Sequence, residues 1–462
     1  MDAIRAPWRN PLNTGLFLIL LFIAIRALNI WFWLQPAANF VANDISYYSY
    51  YTWCFDSGLT EGSAECVEAA AGLGIMAEYP LPAQWLLQGI YWLADGFEQY
   101  LQWFAGLMLL LDAVVATSLF RRHNAKGALV WILFTGACGP IMYFRFDLIP
   151  AALVAWACTL LVVRPYLAGA LVAAGAAVKL WPAMLALPLL TPNPLRRGAG
   201  RARLVGFLVA GVALGMSSLI VGGWTRSISP LVWQSRRGLQ MESVPATPLM
   251  FLRTFTDNDA WPVFLSEWNA LELQGPGVGL LLQTSTLLTV GWALLTAVLS
   301  WRLLRHFRSQ SPASHEAMLL VVLASVLATI VANKTLSPQY ILWLAGPLAV
   351  LVMSRSSEWL RVPLRLASAI LIIVAGLTQY TYPWGTFGIM GMPNGAPLET
   401  SMLILRNLLL VGVTIQVIVL AWRITSPLPH VGVRGDVSGC EASLIVDKDL
   451  APRGSGRTDA HP

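Results

Sequence analysis

GLFLILLFIAIRALNIWFWL, residues 15–34, is an apolar run of the length that crosses a hydrocarbon core, about 20 residues. A basic start, Met1-Asp-Ala-Ile-Arg-Ala-Pro-Trp-Arg, precedes it. The run is longer than a signal h-region of roughly 7–15 residues, so it reads as an uncleaved anchor with the N-terminus in the cytosol. Comparable runs recur as far as Val419, and they predict spans at about 14–35, 99–120, 126–143, 147–163, 166–178, 181–191, 204–222, 279–302, 316–333, 338–353, 363–381 and 400–422. Of 462 residues 56% are hydrophobic and 12% charged, with a mean hydropathy of +0.62, more apolar surface than a soluble domain needs. The fold class expected is therefore all-α, a polytopic integral membrane protein of about twelve transmembrane helices with interfacial helices in its outer loops.

The net charge of +6 does not point to nucleic acid, because the arginines gather in short segments between apolar runs. Arg121-Arg122, Arg164, Arg196-Arg197 with Arg201 and Arg203, Arg302 with Arg305 and Arg308, and Arg355 with Arg361 all fall on the cytosolic side under one threading. That threading lays residues 81–95, with their Trp and Tyr, along the outer interface instead of across the bilayer. The runs at 166–178 and 181–191 are too short to cross alone and predict a broken hairpin meeting at Lys179-Leu180-Trp181-Pro182. Three long segments, about 36–98, 223–278 and 382–399, fall outside. Residues 1–423 read as one transmembrane domain, and 424–462 as a disordered cytosolic tail.

The polar motifs then gather on the outer side. Asn43-Asp44-Ile45-Ser46-Tyr47-Tyr48 follows the first span, Glu78-Tyr79-Pro80 ends the first loop, and Arg145-Phe146-Asp147 and Lys179 cap later spans. Arg236-Arg237-Gly238-Leu239-Gln240-Met241-Glu242-Ser243 lies in the second large loop, and Asn333-Lys334-Thr335-Leu336-Ser337-Pro338-Gln339-Tyr340 joins two spans. Outward Arg145, Lys179, Arg236, Arg237 and Lys334 run against the positive-inside bias and call for an anionic partner, naturally a phosphate at headgroup depth. A phosphate ligand beside a carboxylate suggests glycosyl transfer: the carboxylate takes the proton of the incoming hydroxyl and the cations hold the departing phosphate. Asp44 is the candidate base, with Tyr47, Tyr48, Tyr50 and Tyr51 able to stack on a sugar; the competing reading makes Asp44 an N-cap for a helix starting at Ile45. Glu78, Asp147 and Glu242 read as partners of Arg145, Lys179 or Arg237.

Arg26 and Asp112 lie inside spans one and two and are expected to pair, since an unpaired charge there costs at least about 2.5–3.5 kcal/mol. Cys54 and Cys66 share one outer loop and can close a disulfide. No His falls on the outer side and no glycine-rich nucleotide loop is evident, so neither a metal, a cofactor nor a cytosolic nucleotide-sugar is expected. A transporter or flippase is the rival class; it should show paired repeats with a broken helix in each half, and only one broken hairpin is visible.

In this order the motifs resemble the multi-spanning GT-C glycosyltransferases of actinobacteria, specifically the polyprenyl-phosphate-mannose-dependent alpha-mannosyltransferases that include the phosphatidylinositol-mannoside mannosyltransferase of mycobacteria. The residues that carry the resemblance are Asp44 with Tyr47-Tyr48, Glu78-Tyr79-Pro80, Arg145-Phe146-Asp147, Ala176-Ala177-Val178-Lys179-Leu180-Trp181-Pro182, Arg237 to Ser243 and Lys334 to Tyr340. It covers about residues 15–423. It implies an inverting enzyme at the outer face of the plasma membrane that moves mannose from a polyprenyl-phosphate carrier to a glycolipid or polysaccharide acceptor. Asp44 would be catalytic, and Lys179, Arg237, Lys334 and Arg145 would hold the donor phosphate. Tyr47, Tyr48, Glu78, Tyr79, Asp147, Glu242, Gln339 and Tyr340 would contact substrate. Related enzymes transfer arabinofuranose from the same kind of carrier, and the sequence leaves the two sugars open.

Overall fold

The computed structural model describes residues 11–57, 75–121, 124–190, 197–256, 259–268, 270–307, 311–354 and 357–426. The expected tail lies outside these residues from position 427 onward, as does Cys66; Cys54, at the end of the second helix, is disulfide-bonded.

In chain order the helices are α1 (Pro11–Trp33), α2 (Asn43–Asp56), α3 (Leu81–Leu93), α4 (Tyr100–Leu119), α5 (Lys126–Ala137), α6 (Leu148–Leu160), α7 (Pro165–Val178), α8 (Ala199–Arg236), α9 (Thr247–Phe255), α10 (Val278–His306), α11 (Pro312–Ala332), α12 (Ala345–Met353), α13 (Glu358–Gln379), α14 (Thr386–Met390) and α15 (Pro397–Ile424). Among the described residues α1, α4, α8, α10, α11, α13 and α15 are long and apolar enough to cross a membrane. The protein is an all-α polytopic membrane protein.

The remaining expected spans appear as shorter apolar segments, Lys126–Ala137, Leu148–Leu160, Pro165–Val178 and Pro338–Met353, together with the 3₁₀ turns Trp181–Ala186 and Pro188–Leu190. Their shortness has one cause. Each stops where a polar motif begins: α5 ends before Gly139, whose φ of 76° needs glycine, α6 starts after Asp147, α7 gives way to extended Lys179, and the 3₁₀ turn at Pro338 follows Ser337. Interrupted backbone at membrane depth persists only where it is buried in protein or lines a cavity, and Arg145, Lys179, Ser337 and Pro338, at or near these breaks, line one.

The broken hairpin is present, with its second arm wound as 3₁₀ and not α. Its first arm is clamped to α8 by glycines. A Cβ on Gly169 would meet the Arg203 carbonyl oxygen at 1.9 Å, and one on Gly206 would meet that of Tyr166 at 2.0 Å, so only hydrogen lets the two backbones approach this closely. α8 itself bends at Gly223 (φ 67°), leaving its last turns to carry Trp233 and Arg236 away from the span. α11 packs among α10, α12 and α15 and is the innermost long helix, with 83% of its apolar window buried against 6% for α8.

Two features of the segments between the long apolar helices do not follow from hydropathy. Three short strands, β1 (Leu239–Gln240), β2 (Val263–Leu265) and β3 (Leu271–Leu273), form an antiparallel sheet in the order β1-β3-β2, with Gln240 opposite Glu272. Arg253 of α9, fully buried, donates to the carbonyls of Ile389, Met390 and Gly391 and so caps α14.

Arg26 and Asp112 pair as expected. Arg26 Nε donates to Asp112 Oδ2 at 2.8 Å and Nη2 to Oδ1 at 3.0 Å, with Ile132 O and Thr135 Oγ1 taking the other donors. Trp131 Nε1 completes the carboxylate at 2.7 Å. Removing one partner strands a buried charge, so Arg26→Met or Asp112→Leu is expected to cost about 3–5 kcal/mol, while the double substitution recovers part of it; thermal unfolding of detergent-purified protein reads the difference.

Candidate active site

α2 opens on Asn43, with Ala42 as its N-cap, so Asp44 sits in the first helical turn and is not the cap itself. A carboxylate is favoured there by the helix dipole. Its Oδ2 lies 2.7 Å from Arg145 Nε, an ionic contact whose N–H is not aligned as a hydrogen bond. The rest of the Arg145 guanidinium is committed: Nη1 donates to Val41 O and Phe144 O, both at 2.9 Å, and Nη2 to Tyr382 Oη at 3.2 Å. Asp44 Oδ1 accepts from no described residue, and the side chain, 31% exposed, faces a cavity of about 1560 Å³. Burial in that cavity pushes the Asp44 carboxyl above the ordinary carboxylate range, with Arg145 opposing.

Most of the expected site residues line this one cavity: Asp44, Tyr47, Glu78, Tyr79, Arg145, Lys179, Arg237, Glu242, Lys334, Gln339 and Tyr340. Two depart. Tyr48 is 1% exposed and packs between Tyr79, Phe104 and Phe146, because one helical step turns it about 100° from Tyr47. Asp147 is equally buried, its two oxygens occupied by Lys179 Nζ at 2.7 Å and Trp343 Nε1 at 2.8 Å. Arg236 points out to the exposed side of α8.

The cations thereby fall into two kinds. Arg145 and Lys179 each carry a carboxylate, and Lys179 is further boxed by the rings of Phe146, Tyr340 and Trp343 at 5.1–5.8 Å. Trp343 stacks between Trp181 and Tyr340, with ring centroids 4.9 and 4.2 Å away. Arg237 and Lys334 make no carboxylate ion pair among the described residues. Lys334 Nζ donates only to Ser235 O, at 3.0 Å, and Arg237 Nε is buried without an acceptor. Burial lowers the Lys334 amine below the usual lysine range and Arg237 adds to this, with Glu272 opposing. Two neighbouring cations without a carboxylate partner are a ready site for an anion.

Backbone pairing brings these two together. Gln240 N donates to Lys334 O at 3.0 Å, Met241 N to Leu271 O at 2.9 Å, and Gly238 N to the buried Glu272 carboxylate at 2.9 Å. Elsewhere on the cavity lining Tyr47 Oη donates to Glu78 Oε1, and burial raises the Glu78 carboxyl. Arg226 holds the Glu78 turn by donating to Tyr79 O, Met76 O and Gln84 Oε1.

A second arm of the cavity is mostly apolar. Leu180, Ala183, Met184 and Leu187 line it together with Thr289, Trp292, Ala293 and Thr296, which stand at i, i+3, i+4 and i+7 on one side of α10. Thr296 lies about 27 Å along the helix from Val278, at 1.5 Å per residue, so this arm runs within a membrane-crossing helix. No group of three His, Cys, Asp or Glu among the described residues is placed to hold a metal ion.

A sequence model of glycosyltransferase family 87 matches residues 78–331, more than half of the chain. The chain belongs to glycosyltransferase family 87. The family 87 match contains Glu78, Arg145, Asp147, Lys179, Arg237 and Glu242, and Asp44 and Lys334 lie outside it. No curated protein and no solved structure matches the chain significantly. Family 87 membership makes the protein a membrane glycosyltransferase and sets aside the transporter reading.

Sequence reading missed Arg406 and Asn407 of α15, which bind Glu242, and Tyr382, which binds Arg145. Arg406 did carry a signal, a charge inside the apolar run 400–422, of the kind that flagged Arg26.

Proposed function

We propose that this protein is an inverting enzyme that moves mannose from a polyprenyl-phosphate carrier to a hydroxyl of a glycolipid or cell-wall glycan at the outer face of the plasma membrane, with both termini cytosolic. The observation that carries the reading is the joining, in one cavity, of an acidic group with a free oxygen, two cations without a carboxylate, and an apolar arm along a membrane-crossing helix. A volume of about 1560 Å³ exceeds the roughly 300–1,000 Å³ of a single small-ligand site and suits two substrates.

Asp44 Oδ1 takes the proton of the acceptor hydroxyl as the acceptor oxygen bonds to the anomeric carbon. The bond from that carbon to the phosphate oxygen breaks on the opposite face, its electron pair leaving with the phosphate. A phosphodiester with one negative charge thereby becomes a monoester with more, and Arg237 and Lys334 meet the added charge. Arg145 keeps Asp44 aimed and favours its ionised form, and Lys179 orders the aromatic wall. The carrier chain lies against Met184, Leu187, Trp292 and Ala293, and Tyr47, Tyr51 and Tyr79 flank the sugar.

Purified protein in vesicles, given polyprenyl-phosphate mannose or polyprenyl-phosphate arabinofuranose with a mannoside acceptor, tests the reading. Transfer from the mannose donor supports it; transfer from the arabinose donor alone reassigns the sugar, and transfer from neither rejects the polyprenyl donor.

The pH profile has a definite sign. The base must be ionised, so kcat/KM falls as pH drops through the Asp44 pKa, which burial has moved above about 3.9. Arg145→Gln removes the charge that opposes burial and is expected to move this acid limb to higher pH, as read from kcat/KM against pH.

A further inference from the structure

Glu242 is only 3% exposed, yet it lines the cavity. Its Oε2 accepts from Arg406 Nη1 at 2.9 Å, and its backbone carbonyl accepts from Arg406 Nη2. Arg406, fully buried, projects from α15, a membrane-crossing helix. Asn407 closes the assembly: its Oδ1 accepts from Arg406 Nε at 3.1 Å and Nη2 at 2.9 Å, and its Nδ2 donates to Thr247 Oγ1 at 2.8 Å. Glu242 Oε1 takes no hydrogen bond from a described residue.

That free oxygen does not suit the donor phosphate. A carboxylate repels phosphate, and Arg237 and Lys334 already supply a site of the right sign. An acceptor-only oxygen in a buried wall suits hydroxyl donors. Tyr382 lines the same cavity as Asp44 and Glu242 and is hydrogen-bonded to Arg145, the partner of Asp44, so the two carboxylates open on one space. A sugar that presents its reacting hydroxyl to Asp44 therefore has other hydroxyls on the Glu242 side.

We propose that Glu242 binds a second hydroxyl of the acceptor sugar, and that Arg406, acting from within the membrane span with Asn407, is the positioning residue that holds this carboxylate ionised and aimed. The proposal rests on the transfer reading above and adds to it the acceptor side of the site, a carboxylate for a polyhydroxylated ring.

The test uses purified full-length protein and two probes, n-octyl α-D-mannopyranoside for the acceptor side and farnesyl phosphate for the donor side, each titrated calorimetrically. Glu242→Gln keeps shape and a hydrogen bond to Arg406 but loses the charge, and is expected to weaken mannoside binding about tenfold, the cost of exchanging a charge-assisted bond for a neutral one. Farnesyl phosphate binding should stay as in the wild type. Arg406→Met should reproduce the mannoside loss, Arg406→Lys should restore part of it, and Glu242→Gln combined with Arg406→Met should be no worse than either alone. Mannoside binding unchanged in Glu242→Gln, equal loss of both probes, or no mannoside binding by the wild type would each overturn the proposal. If Arg406→Met does not fold, the near-isosteric Glu242→Gln carries the test by itself. A wild type that binds the mannoside but neither binds farnesyl phosphate nor transfers sugar would reject the donor reading and leave the Glu242 site standing.

Discussion

Replacing Asp44 with Asn is expected to lower sugar transfer by about 10²–10⁴-fold, the usual worth of a positioned general base, while leaving the amount of folded protein unchanged. Asn fills the same volume, keeps an acceptor oxygen for Arg145 and sits as well in the first turn of α2, so little stability is at stake. What disappears is a site for the proton. The loss should fall on kcat with acceptor and donor KM little altered, because the reacting proton moves only in the transition state. Single-turnover transfer by purified wild-type and variant enzyme, normalised to folded protein, measures it; turnover within a few-fold of wild type would remove Asp44 from the base role.

The second large effect concerns the unpaired cations. Arg237→Gln and Lys334→Gln are each expected to lower kcat/KM for the donor by about 10–150-fold, the range of a hydrogen bond to a charged group at about 1.5–3 kcal/mol. In the proposed reaction both contact one departing phosphate, so the double variant should fall short of the product of the two losses. Part of each loss should appear in kcat, since the phosphate gains charge as the glycosidic bond breaks. The assignment separates these residues from Lys179, whose charge Asp147 already balances at 2.7 Å. Donor kcat and KM for the three variants decide it: an effect largest at Lys179 and absent at Arg237 and Lys334 would move the phosphate to the other wall.

The two effects bear on different bonds of one reaction, and the geometry explains why they are separable. Asp44 is held from α2 and the Arg145 turn, whereas Arg237 and Lys334 are held by the backbone bond from Gln240 N to Lys334 O and the strand pairing of Leu239 with Leu273. Neither support is built from the other.

Much of the architecture was legible because lipid imposes strong local rules. Apolar runs of spanning length, the break at Lys179-Leu180-Trp181-Pro182, and the need of Arg26 and Asp112 for a partner each follow from the cost of exposing polar groups to hydrocarbon. The sequence by itself thus determined that this is a polytopic helical membrane protein and which motifs carry its polar groups. Only the tertiary structure decided which carboxylate goes with which cation: Asp44 with Arg145, Asp147 with Lys179, and Glu242 with Arg406, 164 positions away. It also turned Tyr48 into the core and left Arg237 and Lys334 unpaired on the cavity wall. The reason is range. Periodicity and hydropathy report how a residue meets its own helix and its solvent, whereas ion pairs between distant segments depend on how helices pack and where their backbones break, which no local pattern encodes.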